Sequence, residues 1–210
     1  MNKKATLMLL SCSLWLATPE TWGQSWSVGL QFGEFFSTLR GQQESDFRLG
    51  FVAGVQASHY LTEHIVLRLE VNMNRKGSRF EQIAPIPHPG DPEFGNEYIL
   101  DYLSLPLLLR YSTGKKSNFF AGGGLSIDYL MRQKTDFDLI SIDQTDNFRR
   151  FDTNIVGSMG GSFPLNDKLT ATLELRGLFG LVKIDRPEGV ARELGRNTSW
   201  GFMAGINYYL

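Results

Sequence analysis

Large apolar residues recur at every second position in eight stretches of the chain. The alternation is most regular in residues 65–74, where Ile65, Leu67 and Leu69 alternate with Val66, Arg68 and Glu70. Successive side chains of a strand point to opposite faces, so this period predicts strands with one apolar face. The eight predicted strands span residues 26–35, 47–60, 65–74, 98–111, 119–129, 151–163, 169–181 and 199–210.

The predicted strands have the length and spacing of membrane-spanning strands. A tilted strand needs about 9–11 residues to cross a bilayer. The connections after strands two, four and six are short, whereas those after strands one, three, five and seven are longer and polar. Short turns on one side and long loops on the other are typical of outer-membrane barrels. The pattern predicts an all-β fold, an eight-stranded antiparallel up-and-down transmembrane β-barrel with both termini on the periplasmic side.

Aromatic residues cluster at the two ends of the predicted strands. The preference of aromatic residues for strands explains their number but not this placement. Two aromatic girdles around an aliphatic band are typical of a membrane interface. The predicted girdle residues are Trp26, Tyr60, Tyr111, Phe119 and Tyr208 on the periplasmic side, with Tyr129 and Trp200 on the outer side.

The first 23 residues have the features of a secretory signal peptide. Lys3 and Lys4 precede a largely apolar stretch over 5–17, and small residues precede a predicted cleavage between Gly23 and Gln24. The stretch is too short for a membrane anchor, and Cys12 comes too early for a typical lipoprotein signal. We therefore expect a barrel domain over residues 24–210, which contains no cysteine and needs no disulfide.

The charge balance excludes one class of partner. The chain carries a formal net charge of −1 and has no basic stripe. Nucleic-acid binding needs a clear basic excess. We expect no nucleic-acid partner, and expect the outer-membrane lipid and its lipopolysaccharide to be the surroundings of the protein.

Charged residues lie on the faces that would point into the barrel. Arg68 and Glu70 on the third strand and Glu174 and Arg176 on the seventh fall near mid-height on opposite walls. The interior of an eight-stranded barrel is just wide enough for side chains to fill, and buried charges must be paired. We predict a polar network that fills the lumen, with a gated path for small solutes as the alternative. The network is extended by Asn72, Arg110 and Asp128.

Catalytic, cofactor and metal motifs are not recognisable. His59 and His64 flank a short turn, and His88 lies in a loop without a Gly-x-Ser-x-Gly element. A nucleophilic site needs a nucleophile, a base and an orienting carboxylate together. We expect no enzyme activity and no cofactor. The proline-rich segment 85–92 would serve as a stiff surface loop or a recognition element.

The stretch from Leu103 to Tyr111, LSLPLLLRY, resembles the fourth strand of the PorT-like outer-membrane β-barrel proteins of Bacteroidota-type bacteria. The Leu173–Leu181 segment and the cleavage site before Gln24 are also similar. The resemblance implies a small exported barrel and, for the founding type, an association with a protein secretion system. One departure is the terminal Leu210, where outer-membrane strands usually end in an aromatic residue.

These observations predict a non-enzymatic outer-membrane barrel with a structural, surface-interaction or secretion-associated role. Envelope or secretion-system proteins are the partners that such a role implies. The alternatives are a narrow porin-like channel and a secreted soluble barrel of the lipocalin kind. In the soluble barrel, the leucine face of the fourth strand would line a ligand cavity.

Overall fold

The structure is a computed structural model that describes residues 26–40, 45–81, 95–113, 118–137, 140–143, 145–184 and 195–210. The predicted signal peptide, His88 and the proline-rich segment 85–92 lie outside these described residues. Within them, no helix is long and apolar enough to cross a membrane.

Nine strands and a short 3-10 turn make up the described chain. The 3-10 turn spans Thr145–Asn147. The strands are β1 (Trp26–Arg40), β2 (Ser45–Tyr60), β3 (Ile65–Glu81), β4 (Gly95–Ser112), β5 (Asn118–Phe137), β6 (Ile140–Asp143), β7 (Phe151–Pro164), β8 (Leu169–Gly180) and β9 (Arg196–Tyr209).

Eight of these strands close into a barrel. Each neighbouring pair is antiparallel, in the order β1, β2, β3, β4, β5, β7, β8, β9. The β1–β9 pairing closes the cylinder and runs from Ser27↔Tyr209 to Arg40↔Arg196. The short β6 pairs only with the far end of β5. The predicted eight-stranded antiparallel barrel is confirmed.

The apolar face of each strand points outward. Leu30 and Phe32 of β1 are 68% and 66% exposed, whereas the intervening Gln31 is buried. The same alternation holds in β3, where Leu67, Leu69, Val71 and Met73 face outward. Polar residues therefore face the lumen and apolar residues the outside, as expected for a barrel surrounded by lipid.

Several strands continue beyond the ends that the apolar alternation predicts. β1 runs on to Arg40, β3 to Glu81 and β5 to Phe137. Parts of the predicted long loops are therefore a strand-built rim at the long-loop end. Backbone pairing continues there although the outward side chains become polar, as at Arg75↔Asp101 and Arg79↔Glu97.

Two apolar clusters lie inside the barrel. The middle cluster consists of Phe35, Val52, Leu108, Val156, Leu178 and Met203. The upper cluster lies toward the long-loop end and consists of Leu39, Leu100, Tyr102, Leu130, Phe148 and Ile184, with Tyr98 packed against it. Phe148 and Ile184 come from the segments that flank β7 and β8, so these segments fold over the barrel end.

Candidate functional site

The charged residues predicted for the lumen converge on one ion network. Arg68 and Glu70 extend inward from β3, and Glu174 and Arg176 from β8, because even-numbered residues of both strands face the lumen. All four side chains are buried, with at most 6% exposure. The two strands lie on opposite walls, so the ion pairs cross the barrel.

Arg176 is the central cation of this network. Its Nη1 and Nη2 lie 2.7 Å and 2.8 Å from the two carboxylate oxygens of Glu70. Its Nε donates to Glu174 Oε1 at 2.7 Å, and Nη2 lies 2.6 Å from a Glu174 oxygen. The planar guanidinium fork suits such a bidentate contact, which fixes orientation as well as charge.

Two further arginines lie near Glu174 Oε2, the carboxylate oxygen that Arg176 does not contact. Arg68 Nη1 lies 3.4 Å from Glu174 Oε2, and Arg110 Nη1 lies 3.8 Å from the same atom. Arg68 Nε also donates to Ser58 Oγ at 3.3 Å. These contacts are long compared with those of Arg176, so the positive charge is less closely compensated on this side of the network.

Amide side chains complete the environment of Glu70. Gln31 Nε2 donates to Glu70 Oε2 at 2.7 Å and to Asn72 Oδ1 at 2.8 Å. Asn72 Nδ2 donates to Glu70 Oε2 at 2.9 Å. A fully buried carboxylate is tolerated when its lone pairs are satisfied in this way.

Asp128 belongs to a second, separate ion pair. Its Oδ2 accepts from Lys76 Nζ at 2.6 Å and from Asn154 Nδ2 at 3.0 Å, while Ser126 Oγ donates to Oδ1. The Lys76 ammonium also lies 5.2 Å from the ring centroid of Tyr102. Lys76 is absent from the residues that the sequence analysis predicted for the lumen. It nevertheless lies on the same inward, even-numbered face of β3 as Arg68 and Glu70.

The middle apolar cluster separates the two ionic layers. Along β7, Asn154, Val156 and Ser158 face the lumen in succession. Asn154 binds Asp128, Val156 belongs to the middle apolar cluster, and Ser158 is in register with Arg176. From the long-loop end inward, the lumen is therefore filled by apolar, ionic, apolar and ionic layers.

Most of the predicted girdle residues lie on the outside of the barrel. The exterior side chains are those of Trp26, Tyr111, Phe119, Tyr129, Trp200 and Tyr208. His59 contacts Trp26 and His64 contacts Tyr111, with ring centroids 4.4 Å and 5.6 Å apart. Both histidines therefore accompany the aromatic residues at the short-turn end.

Tyr60 is placed differently from the predicted girdle. It lies on the lumen side of β2 and is half-buried, and its hydroxyl donates to that of Tyr209 at 3.0 Å. The two rings lie 5.7 Å apart. Gln56 and Ser58 of β2 face inward, so Tyr60, the last residue of that strand, closes over the short-turn end of the lumen.

Ion pairs also brace the outside of the rim at the long-loop end. Glu97 accepts from Arg48 Nε at 2.9 Å and from Arg79 Nε at 2.6 Å, and Arg75 binds Asp101 through both oxygens. Burial raises the pKa of Glu97, but the two arginine hydrogen bonds outweigh burial and lower its pKa overall. Glu97 thus joins β2, β3 and β4 at the rim.

We expect the rim to lose stability in acid through Glu97. Its pKa is lower in the folded state than in the unfolded state, so the unfolded chain binds more protons in the interval between the two values. The stabilisation is present above the usual glutamate pKa of about 4.3 and declines as the pH falls through the folded value. Urea-unfolding midpoints between pH 6 and 3 measure this decline. The Glu97→Gln variant should show a smaller decline of the midpoint. A variant whose midpoint falls with pH as much as that of the native protein would contradict this role of Glu97.

The described residues offer no recognisable catalytic or metal centre. Within the described ranges, no group of three or more His, Cys, Asp or Glu side chains is placed to hold a metal ion. The buried carboxylates Glu70, Glu174 and Asp128 form ion pairs with cations. The buried Asp152 instead accepts a hydrogen bond from Asn197 Nδ2 at 2.8 Å. The chemistry that this arrangement supports is charge pairing across the lumen.

Solved structures with the same architecture are known. The chain is similar to Neisserial surface protein A (NspA), with a TM-score of 0.56 and 12% identity over 90% of this chain and 100% of that chain. It also matches Ail, the attachment invasion locus protein of Yersinia pestis, with a TM-score of 0.48 and 9% identity over 90% and 100% of the two chains. The outer membrane protein OprG from Pseudomonas aeruginosa gives a TM-score of 0.47 and 12% identity over 90% and 97%. At 12% identity, the likeness to NspA shows the fold alone.

Sequence comparison assigns the family. Comparison with curated protein sequences gives no match. The profile of the outer membrane protein beta-barrel domain matches residues 22–186, which is most of the chain. The chain therefore belongs to the outer membrane protein beta-barrel domain family, whose members are located in the outer membrane.

Proposed function

We propose that this protein is a closed, non-enzymatic barrel that acts in the outer membrane as a structural or surface-interaction scaffold. Lipopolysaccharide and other envelope proteins are the partners that such a scaffold would contact. The PorT-like resemblance of residues 103–111 makes components of a secretion system one class of such partners.

The layered filling of the lumen is the observation that carries this proposal. Leu100, Tyr102 and Leu130 of the upper cluster are fully buried, as is Leu108 of the middle cluster. Both clusters lie across the path that a solute would take between the two barrel ends. An ion that crosses an apolar layer without water loses its hydration, which is costly. The closed layers therefore favour a scaffold over a porin-like channel.

The rim at the long-loop end supports a surface role. Strands β3, β4 and β5 extend past the aromatic girdle and are braced by Arg48–Glu97, Arg79–Glu97 and Arg75–Asp101. A rigid strand-built base holds connecting loops in fixed positions, and binding functions commonly reside in loops positioned by a rigid scaffold.

Planar-bilayer recording of the refolded protein distinguishes the scaffold from the channel. We expect no discrete current steps from the folded barrel, because both apolar clusters block the lumen. The informative variants are Arg176→Met in the lumen and Arg132→Met, whose side chain is about half exposed at the rim. Current steps whose size or ion selectivity changes with Arg176→Met but not with Arg132→Met would refute the closed scaffold and support the channel.

A further inference from the structure

The short-turn side of the lumen holds an uncompensated positive charge. Three guanidinium groups, those of Arg68, Arg110 and Arg176, face the two carboxylates Glu70 and Glu174. One net positive charge therefore remains in a buried ionic layer. An arginine cannot shed its proton to remove that charge.

The distribution of contacts places this excess charge on Arg110 and Arg68. Arg176 contacts both oxygens of Glu70 and Oε1 of Glu174. Arg68 and Arg110 share Glu174 Oε2 at 3.4 Å and 3.8 Å, and Arg68 also lies 3.9 Å from Glu70 Oε1. Among the described residues, Arg110 donates no hydrogen bond, although its side chain is only 4% exposed.

The backbone around Arg110 directs its guanidinium into the lumen. Arg110 is in register with Gly122 of β5, which is in register with Ser158 of β7. A Cβ on Gly122 would lie 2.8 Å from Arg110 Cγ, so the arginine stem lies directly over this glycine. The guanidinium then stacks on the ring of Phe120, 3.3 Å from its centroid.

A second buried polar group without a hydrogen-bond partner lies on the strand next to Gly122. Ser158 Oγ is buried and has no hydrogen-bond partner in the described part of the chain. Ser158 lies between Gly122 on one side and Arg176 on the other. A guanidinium can only donate hydrogen bonds and a serine hydroxyl can donate one, so a single acceptor would satisfy both groups.

We propose that Arg110, Arg68 and Ser158 form a binding site for a small monovalent inorganic anion in the short-turn half of the lumen. An anion would supply both the missing negative charge and the missing acceptor, whereas water would supply the acceptor alone. Arg110 lies two residues from Ser112, the last residue of β4, so the site is close to the short-turn mouth of the barrel.

This site goes beyond the proposed scaffold function and is tested by stability rather than by current. The probe is chloride, exchanged stepwise for gluconate at constant ionic strength, with the refolded protein in zwitterionic detergent micelles. We expect the urea-unfolding midpoint to rise with chloride. For one bound ion, each tenfold increase in chloride above its dissociation constant raises the folding equilibrium constant about tenfold.

Matched variants locate the effect. Arg110→Met should abolish the chloride dependence, and Arg132→Met at the rim should retain it. Glu174→Gln adds one net positive charge, so its chloride response should begin at a lower concentration than that of the native protein. A general loss of stability would not produce that shift.

Three results would overturn the site. These are a native midpoint that does not change with chloride, an Arg110→Met variant that responds as the native protein does, and a Glu174→Gln variant whose response moves to higher chloride. Folding of each variant is verified by its change of gel mobility on heating. If Arg110→Met does not fold, Ser158→Ala replaces it and should weaken the response.

Discussion

Replacing Glu70 with methionine is expected to lower the free energy of unfolding by about 3–5 kcal/mol, the usual cost of breaking a buried ion pair. The substitution leaves the bidentate fork of Arg176 without its main acceptor, and Gln31 and Asn72 lose the oxygen to which they donate. Three buried guanidinium groups would then face Glu174 alone. Urea unfolding in detergent micelles or lipid vesicles measures the loss.

The double variant Glu70→Met, Arg176→Met is the matched control. Removing both partners replaces a buried ion pair with apolar side chains of similar length, which is often nearly neutral. We therefore expect the double variant to regain much of the stability that Glu70→Met loses. A double-variant loss equal to the sum of the losses in Glu70→Met and Arg176→Met would show that Glu70 and Arg176 do not depend on each other.

Replacing Leu107 with arginine is expected to lower the free energy of unfolding in lipid by about 2–4 kcal/mol, the cost of a cation at the bilayer midplane. Leu107 faces outward from β4, in register with Leu69 and Leu125, and is 49% exposed. These three leucines lie in the aliphatic band between the two girdles. Unfolding and refolding in lipid vesicles measures the change.

Tyr111→Arg is the control for depth. Tyr111 lies on the same outward face of β4 but at the girdle, where a cation reaches the headgroups and costs about 0–1 kcal/mol. Similar losses at the two positions would contradict the inferred membrane position. A neutral or stabilising Leu107→Arg would instead favour a barrel whose outer face contacts water.

The strands were predictable because the period of two is enforced along their whole membrane-spanning length. Lipid on one side and a narrow lumen on the other leave few acceptable residues, as at Leu67, Leu69 and Val71 of β3. Beyond the girdle the outside is polar, and the alternation of apolar and polar residues fades while backbone pairing continues. The predicted ends at Phe35 and Asn74 therefore fall short of Arg40 and Glu81.

The composition of the lumen was only partly predictable. The order of the strands shows which of them face each other, so the sequence alone predicts that Arg68, Glu70, Glu174 and Arg176 lie close together. The partner of Asp128 depends on the relative height of β3 and β5, which is determined by barrel stagger and not by sequence spacing. Tyr60 was predicted for the girdle from its position at a strand end, but its side chain faces the lumen and bonds Tyr209.

The seam between β1 and β9 makes assembly of this barrel a late, non-local event. It joins the two strands that lie farthest apart in sequence, and such pairings close slowly. Until β9 pairs with β1, both strands present unpaired edges that can pair with other chains. The contacts of Gln31, Glu70 and Arg176 also join β1, β3 and β8 across the lumen. Closure of the barrel and removal of water from its charged interior must therefore occur together. Before β9 pairs with β1, these charged side chains remain in contact with water.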